Sequence, residues 1–270
     1  MPIEHILLTN DDGIDAVGLR ALYDALIGEY EVTTLAPTTD QSSVGRALSD
    51  GVEITEHELG YAVDGTPVDC VVAGLDEIVS EADLVVAGCN KGANLGAYTL
   101  GRSGTVSAAV EAAFFGLPAV ATSMFVPGDD DWWKRELSAS AFAHAARATR
   151  FLVDEGVAAG VFDHADYLNV NAPIVDEGGG SDAGPASMRV TTPSNWYGMK
   201  ATQNGDRTVS FSDPIWGRMN EAEVPDPVGT DRRAVVDGEV SVSPLSVPHA
   251  SETDTGLDEL ADAYQGRSRA

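Results

Sequence analysis

Two adjacent acids, Asp11 and Asp12, follow the short apolar run Ile6-Leu7-Leu8 and precede Gly13. The run reads as a buried strand, and the acids fall where it should end. In an open parallel sheet that end is where ligands bind. Neighbouring carboxylates repel each other and are costly to bury without a cation. A hard divalent metal, which takes oxygen ligands, would supply one. The same residues would also suit an Asx-turn or a helix cap, with no metal at all. Further oxygen donors follow later strand-like runs. Ser42 lies after the run at 32–35, in Asp40-Gln41-Ser42-Ser43, and Asn90 follows Leu84-Val85-Val86-Ala87. A parallel sheet would bring these four residues together. Two carboxylates, a hydroxyl and an amide suit Mg²⁺ or Mn²⁺, with water completing the shell. Cys89 would suit a softer metal, but alternation along an extended segment turns it away from Asn90. His5, His57, His144, His164 and His249 have no metal-ligand spacing and read as surface or core histidines.

Two glycine-containing segments suit an anion. They are Asn90-Lys91-Gly92-Ala93-Asn94-Leu95-Gly96 and Arg102-Ser103-Gly104-Thr105-Val106. Glycines expose backbone N–H groups, Ser103 and Thr105 add hydroxyls at an expected helix start, and Asn94 can donate through its amide. A helix N-terminus favours negative charge. A plain glycine loop with a Ser/Thr cap would use the same residues. Neither segment has the glycine–lysine–Ser/Thr order of a P-loop. A metal beside an anion cradle points to phosphoester hydrolysis, in which the metal polarises a phosphoryl oxygen and activates water. Lys91 adds positive charge if it turns inward and is solvated if it turns outward. No Ser-His-Asp order or Cys–His pair offers a comparable nucleophile.

The elements that must position these groups alternate. Strand-like runs at 6–8, 32–35, 84–87 and 119–121 are separated by helical patterns at 19–26, 68–79 and 106–115. Residues 52–55 and 61–63 suggest a hairpin, 88–104 a glycine-rich loop, 132–155 a long helix, and 168–173 a strand running into a loop. This rhythm predicts an α/β fold with a doubly wound, mostly parallel, Rossmann-like sheet. The expected organisation is an α/β core over 1–188 with a flexible insertion at about 176–187. An extended C-terminal β arm or small antiparallel lobe follows over 189–247, then a helical segment over 248–270. In that last segment, a helix at 255–264 would turn Glu259 and Asp262 to solvent.

The chain has 270 residues, with 43 acidic against 16 basic side chains and a formal net charge of -27. Lysine occurs at positions 91, 134 and 200, and the acids are spread through nearly every segment. A dispersed acidic surface suits concentrated salt, which screens its self-repulsion. The same charge argues against polymeric nucleic acid, whose phosphates need a basic footprint. Cys70 and Cys89 sit in apolar context and read as buried thiols. With no basic, apolar leader and no run of transmembrane length, a cytoplasmic protein is expected.

The chain resembles the SurE family of survival proteins, which are metal-dependent 5′/3′-nucleotidases. The resemblance rests on ordered blocks across most of the chain. These include Leu8-Thr9-Asn10-Asp11-Asp12-Gly13, Gln41-Ser42, Asp64-Gly65-Thr66-Pro67-Val68-Asp69, Gly88-Cys89-Asn90-Lys91-Gly92-Ala93-Asn94-Leu95-Gly96, Ser103-Gly104-Thr105-Val106, Leu168-Asn169-Val170-Asn171-Ala172-Pro173 and Thr230-Asp231. It implies one divalent metal ion per subunit, Mg²⁺ or Mn²⁺, held by Asp11, Asp12, Ser42 and Asn90. Asp11, Asp12 and Asn90 are the implied catalytic residues. It also implies phosphate contacts at Asn94, Ser103, Gly104 and Thr105, and self-association as a dimer or tetramer through an exchanged arm. The implied reaction is that of a 5′-nucleotidase on nucleoside monophosphates. The alternatives are a phosphatase acting on 3′-nucleotides, short polyphosphate or another small phosphoester, and a nucleotide-binding regulator without turnover. Cys89 stands where isoleucine is usual. Arg102 stands where tyrosine is frequent, and it is the departure that bears on substrate range.

The composition itself generates a prediction. Lowering potassium chloride from molar concentration to about 50 mM lengthens the screening distance past the spacing of surface acids. Light scattering should then show loss of subunit association before, or together with, loss of helical circular dichroism. An assembly that stays intact and active at the lower concentration would refute salt dependence.

Overall fold

The computed structural model describes residues 2–128, 131–175 and 184–247. The expected terminal helix, with Glu259 and Asp262, and His249 lie outside the described residues, as does most of the expected insertion.

From the N-terminus, β1 (His5–Thr9), α1 (Val17–Leu26) and β2 (Glu31–Pro37) form the first unit. The hairpin β3 (Ile54–His57) and β4 (Gly60–Val63) leads to α2 (Pro67–Ala73) and β5 (Leu84–Lys91). A short helix α3 (Ala97–Leu100), α4 (Gly104–Phe114), β6 (Ala119–Phe125), α5 (Ala143–Gly156) and β7 (Tyr167–Pro173) follow. The C-terminal part holds β8 (Met188–Val190), β9 (Lys200–Gln203), β10 (Val209–Ser212), α6 (Ile215–Asn220), α7 (Asp231–Val236) and β11 (Val240–Leu245).

Nine strands make one sheet in the order β3-β4-β2-β1-β5-β6-β7-β11-β8. From β4 to β7 neighbouring strands are parallel, and β3 and β11 run antiparallel to their neighbours β4 and β7. Alternation along β1 fills both faces. Ile6 and Leu8 join Leu19, Leu22 and Phe142 in one buried cluster, while Leu7 joins Cys70, Val71 and Val106 in another. Burying each such side chain contributes about 1.5–3 kcal/mol. Helices on both faces make the sheet doubly wound, as the alternating pattern predicted.

Two local expectations need correction. The helical reading of 132–155 is interrupted, with 3₁₀ turns at Trp132–Lys134 and Ala139–Phe142 before α5 begins at Ala143. The Lys91 ammonium takes the carbonyls of Trp133 and Arg135, which a continuous helix would have used internally. The reading of 88–104 as loop is also too simple. β5 continues to Lys91, and α3 occupies part of the remainder. The expected C-terminal β arm, 189–247, carries strands of two kinds. β8 and β11 complete the main sheet, whereas β9 and β10 form a separate exposed hairpin. Among the described residues no helix is long and apolar enough to cross a membrane.

α2 shows how a local sequence signal closes a turn. Thr66 accepts the Asp69 N–H at 3.1 Å, and the Asp69 carboxylate accepts the Thr66 N–H at 2.8 Å, a reciprocal capping box. The same carboxylate accepts the Ser49 N–H and hydroxyl, each at 2.8 Å. Burial acts to raise the Asp69 carboxyl, but these donors outweigh it and hold it below the ordinary value. A lowered folded pKa stabilises the fold above the unfolded pKa, and that contribution is lost as pH falls through the folded value. Asp69→Asn should therefore cost about 1–3 kcal/mol at neutral pH. The deficit should shrink on acidification below about pH 3.9. Denaturant titrations of both proteins across pH measure this, and a deficit that grows toward acid would exclude the linkage.

Candidate metal and phosphate site

The chain passes from β1 to β2 on one side and later places β5 on the other. The sheet therefore reverses its winding at β1/β5, and the crevice beyond the strand ends there is the expected ligand position. Asp11 and Asp12 leave the end of β1 in this crevice. Asn10 makes the local turn, its amide donating to the Gly13 carbonyl at 2.8 Å. The turn thus uses Asn10 and leaves both acids for other partners.

Asp11 is buried and anchored from far along the chain. Its carboxylate accepts the Thr105 hydroxyl at 2.5 Å and the Thr105 N–H at 3.2 Å, in the first turn of α4. Gly104 makes this approach possible, because a Cβ there would lie 2.8 Å from the Asp11 Cβ. Burial raises the Asp11 carboxyl pKa, and the Thr105 donors oppose the rise. Asp12 accepts the Lys91 N–H at 2.7 Å. Its pKa is pushed up to about 7, first by burial and then by the charge of Asp11, with the Lys91 N–H opposing. Two crowded carboxylates with raised pKa values are what a bound cation would relieve.

Ser42 and Asn90 line the same cavity as Asp11 and Asp12, a space of about 990 Å³. The Ser42 N–H donates to Asp40 at 2.7 Å, and the Gln41 N–H holds the Asp11 carbonyl at 2.7 Å. The Asn90 amide nitrogen donates to the Gly92 carbonyl at 2.6 Å, which leaves its oxygen as the donor for a cation. Cys89 is fully buried, and burial, then the charge of Asp12, pushes its thiol well above the ordinary value. Nothing here favours a thiolate. Among the described residues no three His, Cys, Asp or Glu side chains cluster as a metal site, so a cation here would depend on neutral oxygens as well as the two acids.

Asn94 and Ser103 also line the cavity. The Asn94 amide donates to the Ser123 hydroxyl at 2.9 Å, and its N–H donates to Asn171 at 2.8 Å. The Ser103 hydroxyl caps α4 by accepting the Val106 N–H at 3.1 Å. Thr105, an expected phosphate contact, directs both its hydroxyl and its N–H to Asp11. Lys91 turns its ammonium to the Trp133 carbonyl at 2.7 Å and to the Arg135 carbonyl, neither inward to an anion nor freely into solvent. Arg102 lies on the cavity wall with its guanidinium 4.4 Å over the Tyr98 ring. Asp40, Trp132, Trp133 and Trp216 line the cavity and escaped the sequence reading. For Asp40 its position two residues before Ser42 was a signal, whereas the tryptophans carried none.

The sequence profile described as "Survival protein SurE" matches residues 6–210. The chain belongs to the SurE family. A SurE relative from Natronomonas pharaonis, named "5'-nucleotidase SurE", is 59% identical over 261 residues, covering 96% of this chain and 99% of its own. One of the same name from Haloquadratum walsbyi is 56% identical over 261 residues, covering 96% of each chain. The crystal structure of the SurE protein from Aquifex aeolicus superposes with a TM-score of 0.74 at 29% identity, covering 97% of this chain and 99% of that one. Similarity to SurE proteins of halophilic archaea accords with the acidic composition and a salt-adapted origin.

Removing the Thr105 hydroxyl gives a direct test of the Asp11 anchor. Thr105→Val should destabilise the protein by about 1.5–3 kcal/mol, the range for a hydrogen bond to a charged group, while Thr105→Ser should retain most of it. Denaturant melts near pH 8 compare the three proteins. A loss confined to Thr105→Ser, which keeps the hydroxyl but removes the methyl that valine retains, would point to packing of the methyl group instead.

Proposed function

We propose that this chain is a 5′-nucleotidase, a divalent-metal-dependent phosphomonoesterase that converts nucleoside monophosphates to nucleoside and phosphate. The observation that carries this reading is the Asp11–Asp12 pair, with raised pKa values, sharing one large cavity with neutral oxygen donors and the start of α4. Membership of the SurE family and the name of its relatives support the same reaction.

Asp11, Asp12, Ser42 and Asn90 would hold one Mg²⁺ or Mn²⁺ per subunit. Their all-oxygen donor set with two charges suits a hard ion. When bound, such an ion polarises a phosphoryl oxygen and lowers the pKa of water. The chain's own residues do the rest. Thr105 fixes the rotamer of Asp11, and the Lys91 N–H fixes that of Asp12. Asp11, Asp12 and Asn90 face the reacting phosphate. Asn94, Ser103 and the Gly104 N–H receive its oxygens, where the dipole of α4 favours negative charge. Self-association as a dimer or tetramer through the 189–247 region and a cytoplasmic location belong to the same proposal.

Asp11→Asn should lower kcat by roughly 10²-fold or more, the size expected when several kcal/mol of charge stabilisation are weakened. Chelator should abolish phosphate release from AMP, and added Mg²⁺ or Mn²⁺ should restore it. Full activity in chelator after verified metal removal would overturn the metal-dependent reading.

A further inference from the structure

The cavity extends well beyond the groups that could receive a phosphate. Its volume of about 990 Å³ lies at the upper end of the range that encloses a whole small molecule. Its wall also carries the aromatic side chains of Phe125, Trp132, Trp133 and Trp216. Trp132 is half-buried against Gly92, where an added Cβ would lie 2.9 Å from its ring. Trp133 differs, lining the cavity yet remaining 58% exposed. The Lys134 ammonium lies 5.0 Å over its ring, an exposed cation–π contact weaker than the base–aromatic stack that would replace it.

The position of Trp133 is fixed by an unusual use of lysine. Lys91 directs its ammonium to the carbonyl of Trp133 itself and to that of Arg135. Its backbone N–H simultaneously holds Asp12 at 2.7 Å. One residue therefore ties the aromatic wall to the carboxylate pair. The cation nearest the acids is spent on main-chain carbonyls, which makes sense if the placement of that segment matters. Arg102 offers no rival platform, because its guanidinium lies over Tyr98 and Tyr98 meets Tyr197 edge-on at 4.7 Å.

We infer that Trp133 is the stacking platform for the nucleobase, and that Lys91 is the positioning residue that holds it there. This inference rests on the nucleotidase reading and deepens it by assigning the group that selects substrate. A base has a π-face that an indole can cover, whereas a sugar phosphate or short polyphosphate has none. Discrimination therefore comes from the aromatic wall more than from Arg102.

The test compares wild type, Trp133→Ala, Trp133→Phe, Lys91→Met and Lys91→Arg in concentrated salt with Mn²⁺. Steady-state kinetics on AMP and ribose 5-phosphate give the substrate ratio, and equilibrium dialysis of labelled adenosine gives base binding without turnover. Trp133→Ala should lower the AMP to ribose 5-phosphate ratio of kcat/KM by about tenfold, the scale of one base–aromatic stack. The loss should fall on KM for AMP, with adenosine binding weakened in parallel, and Trp133→Phe should recover most of both. Lys91→Met should move the ratio the same way by less, and Lys91→Arg should restore it. An unmoved ratio in Trp133→Ala, or equal losses on both substrates, would overturn the platform. An unmoved ratio in Lys91→Met would overturn the positioning role. If wild type releases no phosphate, the nucleotidase reading fails, and dialysis still decides whether Trp133 holds the base.

Discussion

Two carboxylates side by side at the end of a buried strand are an electrostatic liability that the surrounding fold is built to hold. Each acid takes a donor from a different distant element. Asp11 is held by Thr105 at the start of α4, and Asp12 by the Lys91 N–H at the end of β5. Both partners exist only when the parallel sheet and its crossovers are complete. The Asp11–Asp12 pair thus couples the local turn at Asn10–Gly13 to the global topology. The positions of α4 and the β5 terminus follow from what the acids need, and Gly104 is there because any side chain would strike Asp11.

The loop after β5 is held by the C-terminal half in the same manner. The Asn94 carbonyl accepts from Asn169 at 2.9 Å and from Asn171 at 3.1 Å, both on β7. The Gly96 N–H donates to Asp231 at 2.6 Å at the start of α7. These are buried polar contacts in which a lost partner would strand a desolvated group. Through Asp231 they also tie the region after 188 to the core. Its ends supply β11 and β8 to the sheet, and its Asp231 supports the loop that carries Asn94 to the cavity wall. The β9–β10 hairpin, exposed along its length, is the part with arm-like character.

Much of this was legible in the sequence because the signals were local. Ile6-Leu7-Leu8 and Leu84-Val85-Val86-Ala87 read as buried strands, and a parallel arrangement brings Asp11, Asp12, Ser42 and Asn90 to one crevice. The helix start at Ser103 was readable from a single turn. What escaped depended on long-range partners. Periodicity over 132–155 favours helix, yet the carbonyls of Trp133 and Arg135 are taken by a lysine some forty residues earlier. Nothing in the sequence reveals that the Thr105 hydroxyl meets Asp11. The aromatic wall was invisible for the same reason, since Phe125, Trp133 and Trp216 come from separate segments.

The acidic composition sets a further constraint on how such a site can be built. In concentrated salt an exposed cation is screened within a few ångströms, so surface lysine or arginine holds an anion poorly. The groups that fix Asp11 and Asp12 are a hydroxyl and two backbone N–H groups, which act through short contacts that salt does not screen. Arg102, the exposed cation on the cavity wall, is turned onto the Tyr98 ring instead. The consequence is a division of labour. Repulsion over the surface grows as salt is withdrawn, while the geometry at the carboxylates depends on covalently placed dipoles and barely on ionic strength. Loss of activity on desalting would then trace to the scaffold, with the site failing only when the sheet that carries its donors comes apart.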